Sequence, residues 1–198
     1  MTTATRQRSE TAEQILDLAE TLIQTRGYSA FSYQDIADAL GIRKASIHYH
    51  FPSKADLGVA VIDRYIARFD SALNQIAADQ TQSSMTMLDF YVQPYLLFAG
   101  TPDRVCLSAA LAGEMLALPP QIRERVEHFF RTHQAWLTKI LQRGVARGEF
   151  ALQAPPPKVA RMMFGALQGA LLVKRATGDL SQIDDVIAVI KQQLAGPA

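Results

Sequence analysis

Residues 32–57 read SYQDIADALGIRKASIHYHFPSKADL, and this stretch decides the fold. Ser32 with Asp35 three residues on, and Phe31 placed to staple against Ile36, mark the start of a short helix. Gly41 stops it, as expected of a residue that turns left-handed without a Cβ penalty. A second short helix is predicted over about Lys44 to Tyr49, closed by Pro52-Ser53. Two short helices joined through a glycine make a helix-turn-helix. Ile36, Ala37 and Leu40 would face a preceding helix, and Ile42 and Ile47 would hold the second helix against it. Arg43, Lys44, Ser46, His48 and Tyr49 then project outward. A helix so presented fits the major groove, ~12 Å wide, where its first turn reaches base edges.

Charge concentrates where that reading needs it. The chain carries 20 Lys+Arg against 19 Asp+Glu, a formal net charge of +1. Between Arg43 and Lys54, however, there are cations, two histidines and a tyrosine, and no carboxylate. Binding to a polyanion would rest on this patch rather than on a diffuse field. The two helices could instead be a mere corner of a bundle. That leaves unexplained why a helix too short to fold for its own sake clusters Lys44, His48, Tyr49, His50 and Lys54.

Helical periodicity continues on both sides. Ala12, Ile15, Leu16, Ala19, Leu22 and Ile23 form one apolar stripe, ended by Gly27. A long helix follows over about 54–78, with Leu57, Val61, Tyr65, Phe69 and Leu73 on one face. Further helices are predicted at about 84–99, 104–117, 120–147, 157–177 and 181–194, with Pro120 suited to a first helical position. No strand pattern or repeat is visible. The expected fold is all-α with about nine helices. Its expected division is a helix-turn-helix DNA-binding domain over 1–53 and a ligand-sensing and dimerisation domain over 54–198.

The chain has 198 residues, 48% of them hydrophobic, enough for a packed core. No apolar run approaches the ~20 residues of a bilayer span. Met1 to Ser9 is polar, carries Arg6 and Arg8, and has no apolar segment behind it. A cytoplasmic protein with no membrane partner is expected. The single cysteine, Cys106, excludes a disulfide framework and a Cys-rich zinc site. His48 and His50 are two apart on a helix, so they point about 200° apart and cannot share a metal ion. There is no phosphate-binding glycine loop, and Cys106 has no recognisable histidine partner, since His128 and His133 lie on a later helix without an orienting motif. Neither an enzyme nor a cofactor is expected.

Gly41, Ile42, Ile47, His50, Phe51 and Lys54 fit the pattern G-[IV]-x-x-x-x-[LI]-x-x-H-F-x-x-K. Ala12, Ile15, Ala19, Gly27 and Ile36-Ala37 precede it at matching distances. Over roughly residues 10–60 the sequence thus resembles the TetR family of bacterial regulators. The resemblance implies that Tyr49 and Lys54 contact phosphates and that His50 with Phe51 anchors the turn into the fourth helix. Arg43, Lys44, Ser46 and His48 are the candidates for base-edge or flanking contacts. Three positions depart from the family pattern: Arg43 where a small N-cap is common, Ala45 where glycine is common, and His48 where an aromatic is common.

A helix-turn-helix that reads paired half-sites, ~34 Å apart or a multiple of it, needs a homodimer. Phe164, Leu167, Gln168 and Leu171, with Val186 and Ile190, are the candidate dimerisation residues, and the resemblance implies a four-helix interface from the last two helices. Tyr91, Tyr95, Phe98, Met115 and Trp136 are candidate lining for a small-molecule inducer pocket.

Cys106 admits two readings. Pro102-Asp103-Arg104 reads as a helix start, which would place the thiol near helix amides and Arg104 and favour its thiolate. Cys106-Leu107, Glu114 and Leu118-Pro119 also resemble a branch of the family with a cysteine here, some of whose members respond to electrophiles or reactive chlorine species; Lys174-Arg175 could approach it. Alternatively Cys106 is a small buried hydrophobe.

The expected function is a ligand-responsive repressor on a (pseudo)palindromic double-stranded DNA operator, released by a small molecule or electrophile. The alternatives are an electrophile sensor acting through Cys106 as an activator, and a helical adaptor with no DNA role.

Overall fold

The computed structural model describes residues 3–195, with side chains from residue 10 onward; the Arg6 and Arg8 side chains lie outside the described residues. Among the described residues there are nine helices and no strand. They are α1 (Thr3–Arg26), α2 (Tyr33–Leu40), α3 (Lys44–His50), α4 (Lys54–Ala78), α5 (Ser84–Ala99), α6 (Leu107–Ala112), α7 (Pro120–Ala146), α8 (Pro156–Thr177) and α9 (Ser181–Ala195). The all-α expectation and the helix count hold.

The helix starts and stops follow local chemistry. The Ser32 hydroxyl accepts from Gln34 N at 3.2 Å, while the Asp35 carboxylate accepts from the Ser32 N–H at 2.7 Å, a reciprocal capping box. Gly41 ends α2 at φ 64°, in the left-handed region where glycine is favoured. A second such box opens α4: the Asp56 carboxylate accepts from Ser53 N at 2.9 Å, and Ser53 Oγ accepts from Asp56 N at 3.1 Å.

The sequence expectation fails at one helix. Periodicity extends a helix over about 104–117, but α6 covers only Leu107–Ala112. Asp103 has a left-handed φ of 58°, and the chain from residue 113 to 117 runs through turns. Pro102-Asp103-Arg104 is therefore a turn rather than a helix start, and Cys106 stands just before α6. An apolar 3.6-residue pattern does not reveal where backbone hydrogen bonding gives way to i→i+3 turns.

The chain forms two compact units. The first joins residues 1–67 with 107–127. Its core holds Ile15, Ala19 and Ile23 of α1, Ile36 of α2, Ile47 of α3, Leu57 and Val61 of α4, and Ile122 of α7. The second joins residues 68–106 with 128–198, and its core holds Met87, Tyr91, Leu137, Phe164, Leu167, Leu171, Ile183 and Leu194. Compactness and function divide a chain by different criteria, and residue 53 falls inside the first compact unit.

Candidate nucleic-acid interface

The second helix of the helix-turn-helix, α3, is only seven residues long, so tertiary contacts must hold it. Ile47 is its buried anchor. Tyr33 of α2 supplies a second hold: its hydroxyl lies 2.8 Å from the Phe51 carbonyl and 2.6 Å from that of Ser53, across the α3–α4 turn. Burial, with the Asp56 carboxylate nearby, pushes the Tyr33 phenol up to about 12, so it stays a hydrogen-bond donor. The Tyr33 ring also meets the His48 ring edge-on at 4.8 Å. His50 touches Tyr49 on one side and Phe51 on the other, at 5.2 and 6.3 Å between centroids.

What remains on the outer face is the candidate reading surface. Arg43, Lys44, His48 and Tyr49 are exposed, Tyr49 at 64%; Ser46 and His50 are half-buried. An exposed tyrosine of this size on so short a helix contributes little to the core and is available to a partner.

Lys54, the expected phosphate contact, is held by groups of its own chain in this structure. Its ammonium donates to the Phe31 carbonyl and lies over the Tyr28 and Phe31 rings, 4.7 and 4.4 Å from their centroids. Burial pulls this ammonium below its ordinary value, opposed by the Glu114 and Asp35 carboxylates. In this structure Lys54 ties α4 to the α1–α2 turn. The reason is geometric: residues 28–31 bring two aromatic faces and an open carbonyl to the first turn of α4, which spacing along the chain does not show.

The same turn is held by a positioning residue that the sequence shows only as part of a resemblance. Glu114, in the turns after α6, accepts from Tyr28 N at 2.6 Å and Ser29 N at 2.8 Å. Gly27 makes this possible: its φ is 95°, and a Cβ there would lie 2.3 Å from Glu114 Oε1. The carboxylate thereby fixes the turn by which α1 delivers α2.

The expected sensing residues fall in both units. Tyr91, Tyr95 and Trp136 come together in the second unit: Trp136 stacks on Tyr91 at 5.4 Å, and Tyr91 lies 6.0 Å from Tyr95. Phe98 is half-buried, with the Arg104 guanidinium 5.8 Å from its ring. Met115 belongs to the first unit, in the turns after α6. Cys106 is 3% exposed. Lys174 donates to the Thr101 carbonyl at 2.8 Å, and Arg175 is exposed.

The expected dimerisation residues are also redistributed. Phe164, Leu167, Gln168, Leu171 and Ile190 are buried within the protomer, and Val186 is half-buried. The outward apolar side chains of the same helices are Met162, Leu172, Val173 and Val189. Helices apolar on two sides leave the inward side undetermined until neighbours are in place. Between α8 and α9 lies an apolar groove of about 850 Å³, lined in part by Val159, Met162, Met163, Val189 and Ile190.

No helix is long and apolar enough to cross a membrane, and no metal-binding cluster occurs among the described residues.

Comparison with known proteins agrees with this architecture. Residues 15–61 match the model of the bacterial regulatory proteins of the tetR family, and residues 88–190 match the tetracyclin repressor-like C-terminal domain. A TetR-family regulator from Agrobacterium tumefaciens is 32% identical, with a TM-score of 0.88 over 95% of this chain and 100% of that one. A TetR regulator from Legionella pneumophila is 33% identical, with a TM-score of 0.83 over 92% and 96%. The HTH-type transcriptional repressor NemR of Escherichia coli is 23% identical over 96% of both chains. With both the reading head and the helical remainder matched, the chain belongs to the TetR family of bacterial regulatory proteins.

Proposed function

We propose that the protein is a ligand-responsive transcriptional repressor that binds a (pseudo)palindromic operator as a homodimer. The observation that carries this reading is the outer face of α3: Arg43, Lys44, His48 and Tyr49 stand exposed on a helix held from behind by Ile47 and Tyr33. Arg43, Lys44, Ser46 and His48 serve base edges and flanking phosphates, and Tyr49 a phosphate. Lys54 is assigned to positioning. The second copy docks on the outward face of α8 and α9, where Met162, Leu172, Val173 and Val189 are exposed, because reading two half-sites requires it. The relatives include proteins named as repressors, which favours repression over activation. The burial of Cys106 favours a packing role over a sensing one, since an electrophile must reach the thiolate.

Fluorescence anisotropy with the DNA upstream of the protein's own gene tests the reading. Salt-sensitive binding is expected, weakened at least tenfold by Tyr49→Ala or Lys44→Ala. Binding indifferent to salt and to both substitutions would favour the adaptor reading. Val189→Glu is expected to shift the protein to monomer in sedimentation velocity and to lose operator binding with it. A dimer of unchanged affinity would place the interface elsewhere.

A further inference from the structure

The second compact unit contains a line of buried polar groups that the DNA-reading head does not use. Gln168 of α8 donates its amide N–H to Tyr95 Oη at 3.1 Å. Tyr95 is hydrogen-bonded to Tyr91, and Tyr91 Oη lies 3.1 Å from Nδ1 of His133 on α7. Donor chemistry gives this line a direction. An amide nitrogen only donates, so the Tyr95 proton passes onward to Tyr91, and the Tyr91 proton to Nδ1. Nδ1 is then an acceptor, and Nε2 carries the ring proton.

His133 Nε2 and Gln168 Oε1 are buried and have no hydrogen-bond partner. Their residues are 3% and 8% exposed. Buried polar atoms without partners are costly and uncommon, and here a donor and an acceptor terminate one continuous chain. The His133 ring is surrounded by aromatic rings: Phe129 at 3.8 Å, Tyr91 at 5.7 Å, Phe69 at 6.0 Å and Phe164 at 6.2 Å. Such walls offer dispersion and flat contact but little solvation for an ion.

We propose that this line is the recognition face for a small, uncharged inducer that presents an acceptor oxygen to His133 Nε2–H and a hydrogen-bond donor to Gln168 Oε1. The proposal rests on the ligand-responsive reading above and names the chemical class of that ligand. Burial agrees with it, lowering the His133 imidazole to about 4 and raising the Tyr91 phenol, so both stay neutral over the physiological range. Aromatic compounds with a carbonyl, amide or hydroxyl group fit; carboxylates and pure hydrocarbons do not.

The chain has one tryptophan, and it is Trp136, stacked on Tyr91, so intrinsic fluorescence reports on this site. The full-length protein is titrated with benzamide, and in parallel with benzoate and ethylbenzene. Benzamide is expected to change Trp136 emission saturably, with the other two at least tenfold weaker. His133→Phe and Gln168→Leu, each checked for a cooperative thermal transition, are expected to weaken benzamide at least tenfold. In the wild type, ¹⁵N-histidine NMR is expected to show Nε2–H, with its resonance moving on benzamide addition whether or not the variants fold. The proposal is overturned if benzamide does not bind, if ethylbenzene or benzoate binds equally, or if only ordered water meets the two atoms in a benzamide-soaked crystal. Operator binding by the same preparation keeps the outcomes separate. Its loss would sink the repressor reading, whereas intact operator binding with no benzamide response sinks only the ligand site.

Discussion

Replacing Gly27 and Glu114 with alanine, singly and together, tests whether their juxtaposition holds the reading head in place. Glu114→Ala removes the acceptor for two backbone N–H groups. That of Ser29 is exposed, and water can replace the carboxylate there; that of Tyr28 is part-buried and bears most of the loss. An unmet, partly buried donor formerly on a charged acceptor costs about 2 kcal/mol. Gly27→Ala carries two penalties. An L-residue at φ 95° is strained by roughly 1–2 kcal/mol, and its Cβ, 2.3 Å from Glu114 Oε1, expels the carboxylate and forfeits the same contacts. Its total is about 3–4 kcal/mol. In the double variant the contacts are lost only once, so the cost stays near ~3–4 kcal/mol instead of the additive ~5–6, a coupling of about 2 kcal/mol. Urea unfolding at fixed protomer concentration measures all four proteins, with the slope checked for constancy. If the two costs add to within about 0.5 kcal/mol, the proximity of Gly27 and Glu114 is energetically irrelevant and the clamp is refuted.

Three further substitutions have outcomes set by the geometry. Lys54→Met preserves the aliphatic stem over Tyr28 and Phe31, so it should lower stability while leaving the salt slope of operator binding unchanged. Lys44→Ala should instead flatten that slope by about one phosphate contact per reading head, and equal flattening by both variants would return Lys54 to the phosphate backbone. For His133, burial lowers the folded-state pKa to about 4, against an ordinary 6.5. The unfolded chain therefore binds the extra proton between these values, and stability should fall as pH drops from 6.5 toward 4, by at most about 3 kcal/mol. His133→Phe should remove that part of the pH dependence in urea titrations; an unchanged profile would mean that His133 is not held neutral by burial.

The reading corner was legible because its determinants are local. Ser32 with Asp35, Gly41, and the apolar spacing of Ile36, Ile42 and Ile47 each act within a few residues, and the structure realises them as caps, turn and anchors. His133 was visible as a histidine but not as a site. It lies on the apolar side of α7 near Phe129 and Trp136, and a polar residue on such a face is the sequence trace of a buried polar group. Its partners, Tyr91, Tyr95 and Gln168, come from α5 and α8, and no spacing within one helix announces them.

By itself the sequence determined the all-helical class, the helix-turn-helix and the charged outer face of α3, because helix periodicity and capping are read over one or two turns. Tertiary structure alone decided which side of α8 and α9 faces inward and that Lys54 turns from solvent to the Phe31 carbonyl. It also brought Glu114 across to Gly27 and joined Gln168, Tyr95, Tyr91 and His133 into one line. The hydrogen bonds from Lys54 to Phe31, Tyr91 to His133, Gln168 to Tyr95 and Tyr28 to Glu114 join residues 23 to 86 positions apart, and their directions depend on how packed helices are rotated about their axes.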